Sequence, residues 1–177
     1  IRNEVDREAA MQPDLKFHEV HGRYIALERD GKRAVIMPDA TRGGGVVFSF
    51  RPISIDERVG IRQISFHWSS RCPVGMKFGV TSFDPSSYQI NDLIMSGWPY
   101  FSYHHMEGSL WVHVLPKESV SRGGLVQFSV SQSGHLLYSI NGVNEGMAEI
   151  CLSGINTSVP LWAFIDLCDG PVKSIEF

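Results

Sequence analysis

Three sets of side chains have the types and spacing to do chemistry. His18 and His21 are three apart, and His104, His105 and His113 are close in sequence, a density that raises the question of a metal site. Cys72 with a histidine would make a nucleophile pair, and Asp84 with Asp166 would make an acid and a base. On a strand, however, the adjacent His104 and His105 point to opposite faces and cannot reach one ion without a bulge. His18 and His21 read instead as histidines that hydrogen-bond backbone where the ordered chain begins. Cys72 has no helix N-terminus to hold a thiolate and reads as an inert thiol. Asp84 precedes Pro85, a turn pair, and Asp166 suits the capping of a loop backbone. No P-loop, dinucleotide fingerprint or serine elbow is present. The chain reads as a non-catalytic binding domain with no cofactor and no metal ligands.

Binding chemistry is better represented. The stretch WPYFSYHH, residues 98–105, is dense in aromatic residues. As a strand it places Trp98, Tyr100, Ser102 and His104 on one face and Pro99, Phe101, Tyr103 and His105 on the other. Phe101 and Tyr103 are expected in the core, which leaves Trp98 and Tyr100 as ligand contacts. Further candidates are Arg42 in the turn ATRGGG, Trp68 and Arg71 around the loop SSRCPVG, and Tyr88. Aromatic and Arg side chains are the usual anchors of protein interfaces. Each has a plain structural role as its alternative: Trp68 is in phase with Ile64 and Phe66, Tyr88 can cover the sandwich, and Arg42 can be a solvated turn residue.

These side chains hang on elements of period two. In MKFGVT, Met76, Phe78 and Val80 face one way while Lys77, Gly79 and Thr81 face the other, and VQFSVS at 126–131 repeats the pattern. Further strands are expected at 15–20, 24–29, 33–37, 45–50, 58–68, 98–105, 110–115, 135–140, 146–152, 161–167 and 171–177. Asp30-Gly31 and Asn141-Gly142 are tight-hairpin signals, because Asn, Asp and Gly tolerate the positive φ that two-residue hairpins need. In RVGIRQISFHW the apolar phase switches between Ile61 and Ile64, which implies a bulge near Arg62-Gln63. No segment makes a long amphipathic helix. About a dozen short strands with Gly and Pro turns imply an all-β sandwich.

Composition agrees with one such domain. The 177 residues are 43% apolar and 20% charged, without an apolar run long enough to span a membrane. The 16 Lys and Arg against 19 Asp and Glu leave a net charge of −3 with no basic block, which disfavours nucleic acid. Three widely spaced cysteines without a Cys-x-x-Cys pair argue against a disulfide framework and for a reducing cytoplasm. The start at Ile1 without a secretory signal is expected of a segment from a longer chain. Residues 1–14, charged and closed by Pro13, read as an arm (linker, tag remnant or docked peptide), with the domain proper at 15–177.

Five blocks in order then carry a resemblance: FHEVHGRYIALERDGKRA (17–34), VVFSFRPISIDERV (46–59), MKFGVTSFDP (76–85), SINGVNEG (139–146) and LWAFIDLCDGPVKSIEF (161–177). Together they resemble the neuralized homology repeat. The resemblance implies a jelly-roll-like antiparallel β-sandwich related to SPRY domains, serving as the substrate-recognition part of a ubiquitin-ligase protein whose RING lies elsewhere. It implies as partner a short cytoplasmic segment such as a Notch-ligand tail, and a cytoplasmic, membrane-proximal location. The alternatives are a jelly roll that binds carbohydrate or a small ligand, and a scaffold repeat without ligase association. Departures from the pattern fall in loops: SSRCPVG after Trp68, SSYQINDLIMSGWPYFSYHH after Asp84-Pro85, and Leu167-Cys168-Asp169-Gly170 after Asp166. Loops carry little of the core and much of recognition, so the ligand is where this chain is expected to differ.

Overall fold

A computed structural model describes residues 15–38, 44–67, 74–87, 109–142, 149–168 and 170–177. Their elements are β1 (Ile25–Glu28), β2 (Arg33–Ile36), β3 (Val46–Phe48), β4 (Val59–Phe66), β5 (Met76–Thr81), β6 (Leu110–Leu115), β7 (Leu125–Val130), β8 (Leu136–Ile140), β9 (Glu149–Leu152), β10 (Trp162–Asp166) and β11 (Val172–Glu176), with one short 3-10 turn at Lys117–Ser119. A seven-stranded sheet has the order β1-β2-β11-β4-β7-β8-β9 and a four-stranded sheet the order β3-β10-β5-β6. Every strand pairing is antiparallel. The expected jelly-roll-like sandwich is the fold observed.

The alternation read from the sequence is what joins the sheets. Phe78 and Val80 of β5, Val47 of β3 and Ile165 of β10 face Val59 and Ile61 of β4, Val126 and Phe128 of β7 and Ile175 of β11 in one core. Phe78 is fully buried at its centre, its ring 5.1 Å from Phe128, 5.8 Å from Tyr138 and 5.5 Å from His113. The four-stranded sheet also buries its outer face, where Val46, Phe48 and Phe164 pack with Val20, Phe83, Leu110 and Val112. Two buried faces explain why VVF and WAFI are continuous apolar runs rather than alternating ones.

Chain direction makes this a late-closing fold. The last strand, β11, lies between β2 and β4, and β10 lies between β3 and β5. Neither sheet is complete until the C-terminal segment has arrived. Phe177 then stacks on Phe17 with ring centroids 4.2 Å apart, joining the two ends of the described chain. Beside it Glu176 receives Arg29 and Arg33, each with a nitrogen 2.6 Å from its Oε1. Burial raises the Glu176 carboxyl, but the two guanidinium groups outweigh it and hold the group below its ordinary 4.5.

Several local expectations change. The segment expected as a strand at 15–20 makes only one bridge, Phe17 to Ser49, and otherwise lies along β3 through single hydrogen bonds. The strand expected over 45–50 ends at Phe48; Ser49 still bonds Ala163 O, and the chain bends at Phe50 and Arg51. The bulge falls at Ile64, just past the expected Arg62-Gln63: Ser174 pairs with Ser65 and Ile175 with Gln63, so Ile64 is the extra residue. The first hairpin closes through a four-residue loop, 29–32, between the paired Glu28 and Arg33, rather than a two-residue one; Asp30 and Gly31 take the expected positive φ, 56° and 81°, and Arg29 joins them at 52°. Asn141 and Gly142 do take positive φ, at 54° and 70°. They do not join β8 to β9 as a two-residue hairpin, since among the described residues the last pair of the two strands is Tyr138 with Glu149. Asn141 instead caps β7, its Oδ1 accepting from Leu125 N–H at 2.8 Å. The strand expected at 98–105 lies outside the described residues.

Replacing Phe78 by Ala removes the ring that both sheets share. The expected loss is about 3–5 kcal/mol, the usual cost of truncating a buried Phe, read as a lowered urea midpoint at unchanged m-value.

Candidate functional site

The six residues Arg42, Trp68, Arg71, Tyr88, Trp98 and Tyr100 all lie outside the described residues. The described chain on either side of them shows where each loop leaves the sandwich. The flanks of 39–43 and 68–73 converge on one end. Leu167 N–H donates to Gly45 O at 3.0 Å, and His67 N–H donates to Pro171 O at 2.8 Å. Gly170 comes so close to Gly75 that a Cβ there would lie 2.2 Å from the Gly75 carbonyl oxygen. The loop after Asn141 starts at this same end, beside Gly124, whose carbonyl accepts from Gln63 N–H at 2.9 Å.

Under these loops sits a polar brace. Asp166 Oδ2 is 3.4 Å from Lys77 Nζ, and its Oδ1 accepts the Cys168 N–H at 2.9 Å. Asp166 therefore caps a loop backbone, as its sequence context implies. Lys173 Nζ adds a bond to Gly170 O at 2.9 Å. Gln63, fully buried, accepts Ser121 N–H on its Oε1 and holds the 121–124 loop on both backbone sides.

The flanks of 88–108 lie at the opposite end, where Ser82 N–H donates to Ser109 O beyond the last pair of β5 and β6, Thr81 with Leu110. Here Asp84 Oδ1 accepts Ser86 N–H at 2.8 Å, the turn role expected of Asp-Pro. Asp84 and Asp166 are thus separated by the length of β5, about 20 Å at some 3.3 Å per residue, and do not form a pair.

At this second end the sequence understates one residue. His18 is 5% exposed; its Nδ1 accepts Val20 N–H at 2.9 Å and its Nε2 lies 3.1 Å from Ser86 Oγ. Nδ1 is therefore the unprotonated nitrogen, and Nε2–H is the donor to Ser86. His21 Nδ1 bonds the carbonyl of Gly22 at 2.9 Å. Both histidines engage their local surroundings as expected, but His18 also ties the N-terminal segment to the Asp84–Ser87 turn 68 residues away. No local pattern announces a contact at that separation. Stacked on the His18 ring at 5.8 Å is Phe50, which is 61% exposed. His113 packs edge-on against Phe78 and 4.8 Å from Tyr138. Among the described residues no three His, Cys, Asp or Glu side chains group as metal ligands.

The comparisons with known proteins follow the same outline. The Neuralized family model matches residues 17–177. The chain belongs to the Neuralized family. It is 31% identical to the protein neuralized of Drosophila virilis over 169 residues, covering 93% of this chain and 20% of that protein. It is 32% identical to the E3 ubiquitin-protein ligase NEURL3 of Homo sapiens over 165 residues, covering 92% of this chain and 58% of the relative. This Neuralized domain thus spans about a fifth of the fly protein and less than two thirds of the human one. It superposes on the crystal structure of the Drosophila melanogaster neuralized NHR1 domain with a TM-score of 0.77 and 29% identity, over 94% of this chain and 98% of that one. The SPRY domain of human HERC1, at 11% identity, shares the fold with a TM-score of 0.52 over 90% of this chain and 95% of that one. The Neuralized match supports a protein-interaction domain.

The tie through His18 is sensitive to acid. Burial lowers the imidazole below its ordinary 6.5, against the pull of the Glu19 and Asp84 carboxylates and with a small push from His21. The unfolded chain therefore takes up this proton first. The stability His18 contributes is fully present above about pH 6.5 and is lost as pH falls through the lowered folded value. The urea midpoint of the chain should drop between pH 7.5 and 5.5 by more than that of His18→Asn, whose amide oxygen can accept from Val20 without titrating.

Proposed function

We propose that this domain is a peptide-recognition module, the substrate-binding part of a ubiquitin-ligase-family protein whose catalytic machinery lies elsewhere in the parent chain. The observation that carries this reading is the match over residues 17–177 to the Neuralized family together with the superposition on the neuralized NHR1 domain. A sandwich braced at both ends supports it physically. Rigid strands hold the loop flanks in fixed positions, and recognition residues on loops of a rigid scaffold can vary without cost to the core.

The partner is a short, Asn-containing and otherwise disordered cytoplasmic segment, of which Notch-ligand tails are the leading class. Residues 15–177 form the binding domain and 1–14 an arm. Arg42, Trp68 and Arg71 act from the loops at the end braced by Asp166, while Tyr88, Trp98 and Tyr100 act from the loop that leaves beside Asp84. Affinity is modest, because ordering a disordered segment offsets part of the contact energy. The domain acts in the cytoplasm, brought near the membrane by its partner.

Titrating Notch-ligand tail peptides into the chain, with and without residues 1–14, tests this by calorimetry. Saturable binding is expected, and no heat with any tail would refute the assignment of partner. If the arm occupies the site, deleting it raises affinity on the order of tenfold or more, since a tethered competitor acts at high effective concentration. Equal affinities would leave the arm a linker.

A further inference from the structure

Two backbone bonds lie outside the β1–β2 ladder at the two ends of β1. Phe17 N–H donates to Gly31 O at 2.7 Å at one end, and Ile25 N–H donates to Gly22 O at 3.0 Å at the other. Between these bonds a groove of about 440 Å³ opens beside β1, lined by Lys16, Phe17, Glu19, Leu27, Asp30, Gly31 and Phe50.

Backbone geometry makes this gap an open sheet edge. Met37 N–H donates to Tyr24 O, so Tyr24 and Met37 form a hydrogen-bonded pair of the β1–β2 ladder. In an antiparallel ladder such pairs alternate, which turns the backbone groups of Ala26 and Glu28 toward β2 and those of Ile25 and Leu27 away from it. The bond from Ile25 N–H to Gly22 O confirms the direction. Leu27 thus presents its N–H and C=O to the groove, and among the described residues no strand pairs with that edge.

The side chains around it are those of a binding surface. Phe17 is 3% exposed and forms the floor with the half-buried Leu27. Phe50 also lines it, 61% exposed, its backbone anchored by the bond from its N–H to Lys16 O at 2.7 Å and by that from the neighbouring Ser49 N–H to Ala163 O at 3.0 Å. An aromatic side chain with only two χ angles on an anchored backbone loses little entropy on binding. The rim carries the carboxylates of Glu19 and Asp30 against the single ammonium of Lys16, a net negative lining.

We propose that this groove is a docking site for an extended peptide that adds to β1 as a strand. The occupant bonds Leu27 through its backbone, lays an apolar side chain on Phe17, Leu27 and Phe50, and places a Lys or Arg two residues away against Glu19 and Asp30. Residues two apart on a strand lie on one face, about 6.8 Å from each other, so both can enter one groove. Strand addition supplies affinity through main-chain bonds and specificity through alternate side chains. The site rests on the peptide-recognition reading and adds to it a surface distinct from both loop ends.

Panning a random-peptide phage library against the chain, then titrating the enriched peptides, tests it. The expected peptides carry an apolar residue and a Lys or Arg two positions apart, and on binding they slow hydrogen exchange of the Leu27 amide. Phe50→Ser, and separately Glu19→Gln with Asp30→Asn, should each weaken them about tenfold, the scale of one interface anchor. Both variants change exposed side chains, and Asn keeps the left-handed turn, so an unchanged melting temperature is the folding control. Peptides that bind equally to both variants without protecting Leu27 would overturn the groove while leaving peptide recognition intact. Failure to enrich any peptide would overturn peptide recognition and the groove with it.

Discussion

Burial of one aromatic cluster between two sheets is the constraint on which the rest of the molecule depends. Phe78 meets Phe128 and Tyr138 across the interior, and the strands that carry them meet the remaining strands through antiparallel ladders. Because side chains alternate along a strand, placing Phe78 inward places Lys77 outward, where it reaches Asp166. The register β5 adopts to bury its core residues thereby sets the brace beneath one set of loops. The same register sends the chain after Thr81 into the Asp84 turn that meets His18.

The order of strands adds a second constraint. Because β11 and β10 occupy the middle of their sheets, the C-terminal segment completes what the earlier strands begin. Contacts so distant in sequence are slow to form, since the loop entropy is lost before the contacts repay it. Once formed, they tie the ends together through Phe17 and Phe177 and through Arg29, Arg33 and Glu176. That closure also shapes the β1 groove. Phe17 is held down by Phe177 at one side while the segment beyond it follows β3, so β1 is left with an unpaired stretch between two anchored ends.

The strand at 76–81 was legible because the alternation of Met76, Phe78 and Val80 with Lys77, Gly79 and Thr81 reports which side chains enter the core between the sheets. The Ile64 bulge was legible to within two residues, since an extra residue must reverse the phase of every apolar side chain after it. Turn chemistry was less informative. Asn141 has the positive φ its type allows, yet whether the flanking strands close at once depends on where β9 must sit, not on Asn141. The strand expected over 45–50 overran its end: Phe50 stands in water, because the chain bends at Phe50 and Arg51, where Phe50 N–H bonds Lys16 O.

By itself the sequence determined the fold class, most strand positions, the capping roles of Asp84 and Asp166 and, through five ordered blocks, the family. These depend on periodicity, turn residues and local spacing, all of which are properties of neighbours along the chain. Tertiary structure alone decided that the loops of Arg42 and Trp68 leave one end while that of Tyr88 leaves the other. It alone brought His18 to Ser86, and it alone opened a groove between Phe50 and the edge of β1. Such features arise where segments far apart in sequence are brought together by the closing of the two sheets, and no local pattern encodes the meeting.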